Sequence, residues 1–95
     1  MTWVVTNRIR VDAPSDADRI VEAFRHRLGA VDRQPGFRGL EVWREADGRE
    51  VVVLTRWETR QEFEAWVASP AFQHAHARAD GSPGSASATV YEVAV

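Results

Sequence analysis

Three side chains in this sequence are of types that could do chemistry where they stand: Asn7, Trp66 and His76. Asn7 falls on the stripe Trp3, Val5, Ile9 and Val11, in the middle of an alternating apolar run. Strand interiors disfavour asparagine, and a buried side-chain amide is costly unless its hydrogen bonds are met. Two readings of Asn7 stay open. Its amide either bridges to the backbone of a neighbouring loop, or is kept in an apolar cavity to address a ligand. Trp66 follows Phe63 by three residues, the spacing of a helical packing face, so taken alone it reads as core. His76 lies four residues after Phe72 on the same helical face. It is either a histidine resting at a helix C-terminus, or a neutral imidazole turned to an apolar pocket, as a heme iron ligand would be.

The other candidates carry less. His74 and His76 are two apart, so on a helix they point to different sides and make no convincing metal pair. His26 lies among arginines and is expected in solvent. Glu41, Asp47, Glu58, Glu62 and Glu64 show no spacing that suggests a catalytic dyad. No Gly-rich phosphate loop, serine elbow or zinc motif occurs. The absence of cysteine excludes a disulfide framework, a thiolate metal site and a cysteine nucleophile. Twelve basic residues, all arginine, are interleaved with acids at a net charge of −2, which leaves no basic stripe for nucleic acid. No apolar run approaches the roughly 20 residues of a membrane span, and no basic-then-apolar leader follows Met1. The expectation is a cytoplasmic protein with neither nucleic acid nor membrane as partner.

The elements that must position these residues follow from periodicity. The 95 residues are expected to form one domain over 1–95. A chain this short buries only about 60–65% of its unfolded surface, which favours self-association. Trp3 to Val11 alternates as a half-buried strand. Ser15 or Asp16 is expected to cap a helix whose apolar stripe runs Ala17, Ile20, Val21, Phe24, Leu28, Val31, ending at Gln34-Pro35-Gly36. Phe37 to Glu45 and Val51 to Trp57 are strands joined by a hairpin at 46–49, with Gly48 supplying a positive φ. Strand three is apolar on both faces and so should be central. Thr59 and Glu62 form a capping box for a helix carrying Phe63, Trp66 and Val67. Ser69-Pro70 restarts it as a short segment from Ala71 to His76. A loop over 78–87 leads to a closing strand from Ala88 to Val95. The order β-α-β-β-α-β is the ferredoxin-like α+β arrangement. One sheet face would remain open and largely apolar, so a homodimer with two sheets packed face to face, an α+β barrel, is expected.

The segments Thr6-Asn7-Arg8, Pro35-Gly36-Phe37-Arg38-Gly39, Val53-Leu54-Thr55-Arg56-Trp57 and the block from Phe63 to His76 resemble the antibiotic-biosynthesis monooxygenase domain. Within it they look like the IsdG-type heme-degrading enzymes. The likeness spans about residues 4 to 76. The Pro-Gly-Phe and strand-three segments speak to fold, whereas the combination of Asn7, Trp66 and His76 is much more specific, being the set those heme-degrading enzymes use. The resemblance implies that heme is substrate and cofactor, with His76 as axial ligand to its iron. Asn7 would stand on the distal side and donate a hydrogen bond to bound oxygen, and Trp66 would press the porphyrin out of plane. Phe24 would line the pocket and Arg27 would approach a propionate. An electron donor is implied as a further partner. The same fold could instead serve a cofactor-independent oxygenase of an aromatic or polyketide-like substrate, or a heme-binding dimer without turnover.

Overall fold

The computed structural model describes residues 2–27, 29–72 and 86–95. Its elements are β1 (Trp3–Arg10), α1 (Pro14–Arg25), a 3-10 turn (Ala30–Arg33), β2 (Phe37–Arg44), β3 (Glu50–Trp57), α2 (Arg60–Val67) and β4 (Ala86–Glu92). The order is the ferredoxin-like α+β one expected. The strands form one sheet in the order β2-β3-β1-β4, antiparallel at every pairing. β3 is therefore internal, as its two apolar faces require. Among the described residues no helix is long and apolar enough to cross a membrane.

Register assigns the faces. Trp3, Val5, Asn7 and Ile9 stand opposite Trp57, Thr55, Val53 and Val51. On the other side of β3, Phe37, Leu40 and Val42 stand opposite Trp57, Thr55 and Val53. All of these share one face, because directly paired residues project to the same side. Phe37 and Leu40 are three apart, an odd spacing that plain alternation would send to opposite faces. A register shift between Phe37 and Gly39 restores them to one side, and Gly39 takes φ 149° there.

Both helices contact β3, and α1 also reaches β2. The core beneath α2 is Val5, Trp57 and Trp66, with Trp3, Ala30, Val31, Phe37, Phe63 and Val67 packed around it. Trp57 is fully buried and meets Phe37 and Phe63 edge-on, with ring centroids 5.5 and 5.8 Å away.

The helix ends differ in part from expectation. Thr59 caps α2, its hydroxyl oxygen accepting from the Glu62 N–H at 3.1 Å. The Glu62 carboxylate accepts from that same hydroxyl at 3.0 Å, in place of the backbone bond a full capping box would supply. α1 begins one residue before Ser15, with Pro14 in its first turn and Ala13 as an N-cap without a side-chain bond. It ends at Arg25, so the apolar stripe extending to Val31 is not one helix. Gly29 at φ 75° breaks the path and opens the 3-10 turn, which still brings Val31 onto the core. Gly48 adopts φ 75° in the β2–β3 hairpin as expected, and the Glu45 carboxylate accepts from the N–H groups of Asp47 and Arg49 at 3.1 Å. The closing strand starts at Ala86 and ends at Glu92, two residues earlier than Ala88 and three before Val95.

The face away from the helices carries buried Val4 and Leu54 at its centre. Trp43 and Tyr91 stand out from it, 46% and 51% exposed. Glu41 accepts from the Trp43 indole at 2.9 Å and faces Arg56 at 3.5 Å.

Gly36 ties the chain entering β2 to the start of α2. It holds φ 80°, and a Cβ there would lie 2.1 Å from the Glu62 carboxylate. Gly36→Ala should therefore lower stability by about 1–3 kcal/mol in urea unfolding. In a Glu62→Ala background the cost should shrink but persist, since the carboxylate is gone and the positive φ is not. An equal cost in both backgrounds would show that the close approach contributes nothing.

Candidate active site

β1 delivers Asn7 to the helix-covered side of the sheet, between Val53 on β3 and Ala88 on β4. The residue is half-buried. Its amide enters none of the side-chain hydrogen bonds among the described residues, and no side-chain polar atom there is both buried and unpartnered. Of the two sequence readings, the bridge to a neighbouring loop backbone is not formed among these residues.

α2 brings Trp66 to the same side. Its ring is 8% exposed, packs with Val5 and Trp57, and meets Phe72 edge-on with centroids 5.5 Å apart. Val5, which shares the core cluster with Trp66, precedes Asn7 by two residues on β1, about 7 Å along the strand. The break after α2 is built as expected. The Ser69 hydroxyl donates to the Trp66 carbonyl at 2.6 Å and accepts from the Phe72 N–H at 3.2 Å, and residues 70–72 are again helical. His76 and His74 lie outside the described residues, as does the 78–85 part of the loop.

Phe24 projects from α1 over β2. With Val21, Arg25, Leu40 and Val42 it lines a cleft of about 250 Å³. A larger hollow of about 420 Å³ lies at the hairpin end, among Arg10, Val11, Asp12, Glu45, Arg49 and Glu50. Two of its three carboxylates are engaged: Glu45 holds the turn, and Glu50 faces Arg8 at 3.9 Å. Arg27 leaves the end of α1 and is held by Asp32 through two bonds, at 2.9 and 3.2 Å. Asp32 belongs to the 3-10 turn whose Ala30 and Val31 pack against the cluster of Val5, Trp57 and Trp66. His26 pairs with Glu22 at 3.1 Å on the exposed side of α1, the solvated position expected of it. No group of three metal-ligating side chains occurs among the described residues.

Thr55 belongs to this face and was not singled out by sequence. It stands opposite Val5 and Leu40, and its Oγ1 accepts from the Trp57 indole N–H at 2.9 Å. A hydroxyl two residues before a tryptophan on a strand is the signal that could have found it, because residues i and i+2 share a face. The middle of the helix-covered face thus sets Asn7 and Thr55 among apolar side chains, with Arg44 and Glu92 at its ends.

Comparison with known proteins agrees with this architecture. The model of the family described as Antibiotic biosynthesis monooxygenase matches residues 2–78. A heme-degrading monooxygenase of Bacillus thuringiensis subsp. konkukian is 35% identical over 83 residues, covering 84% of this chain and 76% of the relative. The heme-degrader MhuD from Mycobacterium tuberculosis, solved with two hemes bound in its active site, superposes with a TM-score of 0.82 at 34% identity, covering 98% of this chain and 96% of that one. SnoaB, a cofactor-independent oxygenase from Streptomyces nogalater, shares the fold at a TM-score of 0.77 and 24% identity, covering 99% and 94% of the two chains.

The buried indole makes Thr55 structural as well as polar. Thr55→Val should leave the Trp57 N–H without an acceptor and lower stability by about 1–3 kcal/mol, measured by urea unfolding. Thr55→Ser keeps the oxygen and should lose less than half as much. A Val variant as stable as the unaltered chain would mean that the indole finds another partner.

Proposed function

The chain belongs to the antibiotic biosynthesis monooxygenase family, and on that premise we propose that it is a heme-degrading monooxygenase of the IsdG type. The observation that carries the reading is the half-buried Asn7 amide, without a side-chain partner among the described residues, on an apolar face beside Trp66. The relatives at 34–35% identity that bind or degrade heme support the same reading. Residues 1–95 act in this proposal as a single cytoplasmic domain.

The residues present suit a flat apolar macrocycle with carboxylates on one edge. Phe24, Leu40, Val42 and Trp66 offer apolar walls. Asn7 offers one donor near the middle, and Arg27 offers a cation at the rim. Heme, as substrate, supplies the iron at which dioxygen is activated and the ring that is opened, with electrons from a separate donor. The protein's part is orientation and exclusion of water. His76 would hold the iron from one side, Asn7 would donate a hydrogen bond on the other, and Trp66 would bear on the ring plane. Arg27 would exchange Asp32 for a propionate, so one carboxylate partner replaces another. A second copy of the chain would cover Val4, Leu54, Trp43 and Tyr91 on the open sheet face.

Hemin titration tests the reading. The full chain should give a stoichiometric Soret shift that His76→Ala abolishes. With reductant, oxygen and catalase the band should bleach with release of iron. Asn7→Ala should keep hemin but turn over at least about tenfold more slowly, the loss of one donor to developing charge. Absence of any Soret shift would transfer the site to an organic substrate, as for a cofactor-independent oxygenase. A shift without bleaching would make the protein a heme carrier. Sedimentation equilibrium should give twice the chain mass, and Tyr91→Glu should halve it; a monomeric unaltered chain would remove the proposed assembly.

A further inference from the structure

Thr55 has a hydroxyl whose hydrogen bonding is only half accounted for. Its oxygen carries two lone pairs and one proton. One lone pair accepts from the Trp57 indole at 2.9 Å. Trp57 is fully buried, so its N–H must keep that acceptor. The bond, together with the stiffness of a β-branched side chain, fixes the rotor of Thr55. The proton then finds no acceptor among the described residues. It is held on the helix-covered face between Val5, which packs against Trp66, and Leu40, which lines the cleft under Phe24.

Asn7 pairs with Val53, the residue two before Thr55 on β3. Asn7 and Thr55 are therefore diagonal neighbours on one face, about 7–8 Å apart with their Cβ atoms somewhat closer. A small ligand lying between an amide that reaches in from one side and a hydroxyl from the other can bond to both. We propose that Thr55 is a second hydrogen-bond donor of this pocket, oriented by Trp57, and that with Asn7 it binds the small anionic ligand on the distal side of the heme. The inference rests on the heme reading above. Trp57 is then a positioning residue, acting through Thr55 without touching the ligand.

Fluoride binding to the hemin-loaded ferric protein reads this directly, since fluoride on iron is stabilised by each donor that reaches it. Thr55→Val should weaken fluoride by roughly tenfold, the effect of one hydrogen bond to a charged acceptor. Thr55→Ser should stay within about threefold of the unaltered chain, because the donor is kept. Hemin bound normally with fluoride affinity of Thr55→Val unchanged would overturn the second donor and leave the heme reading intact. No Soret shift in the unaltered chain would remove both. Should Thr55→Val fail to fold, Asn7→Ala supplies the test. Its iron–fluoride stretching band should still move between H2O and D2O, because an exchangeable donor remains. A band unmoved in D2O would overturn the proposal.

Discussion

A tryptophan with no exposed surface must place its N–H against an acceptor, and in this protein that requirement falls on one hydroxyl. Trp57 is the last residue of β3, packs edge-on between Phe37 and Phe63, and donates to Thr55. The three aromatic rings belong to β2, β3 and α2, so this cluster fixes how the second half of the chain closes on the sheet. Trp66 rests on the same cluster one helical turn beyond Phe63. The position of the ring proposed to bear on the porphyrin thus depends on a hydrogen bond within β3.

The two faces of the sheet divide the work. Under the helices, apolar side chains from three strands surround two small polar groups, which restricts where a ligand's own polar atoms can sit. On the opposite face, apolar residues at the centre are flanked by exposed aromatic rings and by the Glu41–Arg56 pair. Large rings exposed on a mixed face of this kind suit a partner, and in the proposal a second copy takes that place. In the proposal, binding on one face and association on the other would share β1 and β3 as their common wall.

Much of this was legible in the residues. Alternation in β1, with Val4 the exception, placed Asn7 on the stripe of Trp3, Val5 and Ile9, while its pairing with Val53 came only from the sheet register. Trp66 looked like core and is core; its suggested role came only through family likeness. Other features were hidden for physical reasons. Periodicity carried α1 on to Val31, since Gly29 turns the chain without interrupting the apolar pattern. Thr55 passed as one residue of an apolar strand because its importance depends on Trp57 being fully buried. The engagement of Arg27 by Asp32 needed the geometry of the turn between them.

The shift in β2 between Phe37 and Gly39 sets the parity of everything after it. One extra residue lets Phe37 join the aromatic cluster while Leu40 and Val42 still face the cleft. An edge strand can absorb that insertion, because its outer side has no neighbour whose register would be broken. The Arg38-Gly39 pair therefore works as a phase correction between two stretches with independent reasons for their orientation. Loss of one residue here would leave each stretch sound in itself and turn one of them inside out.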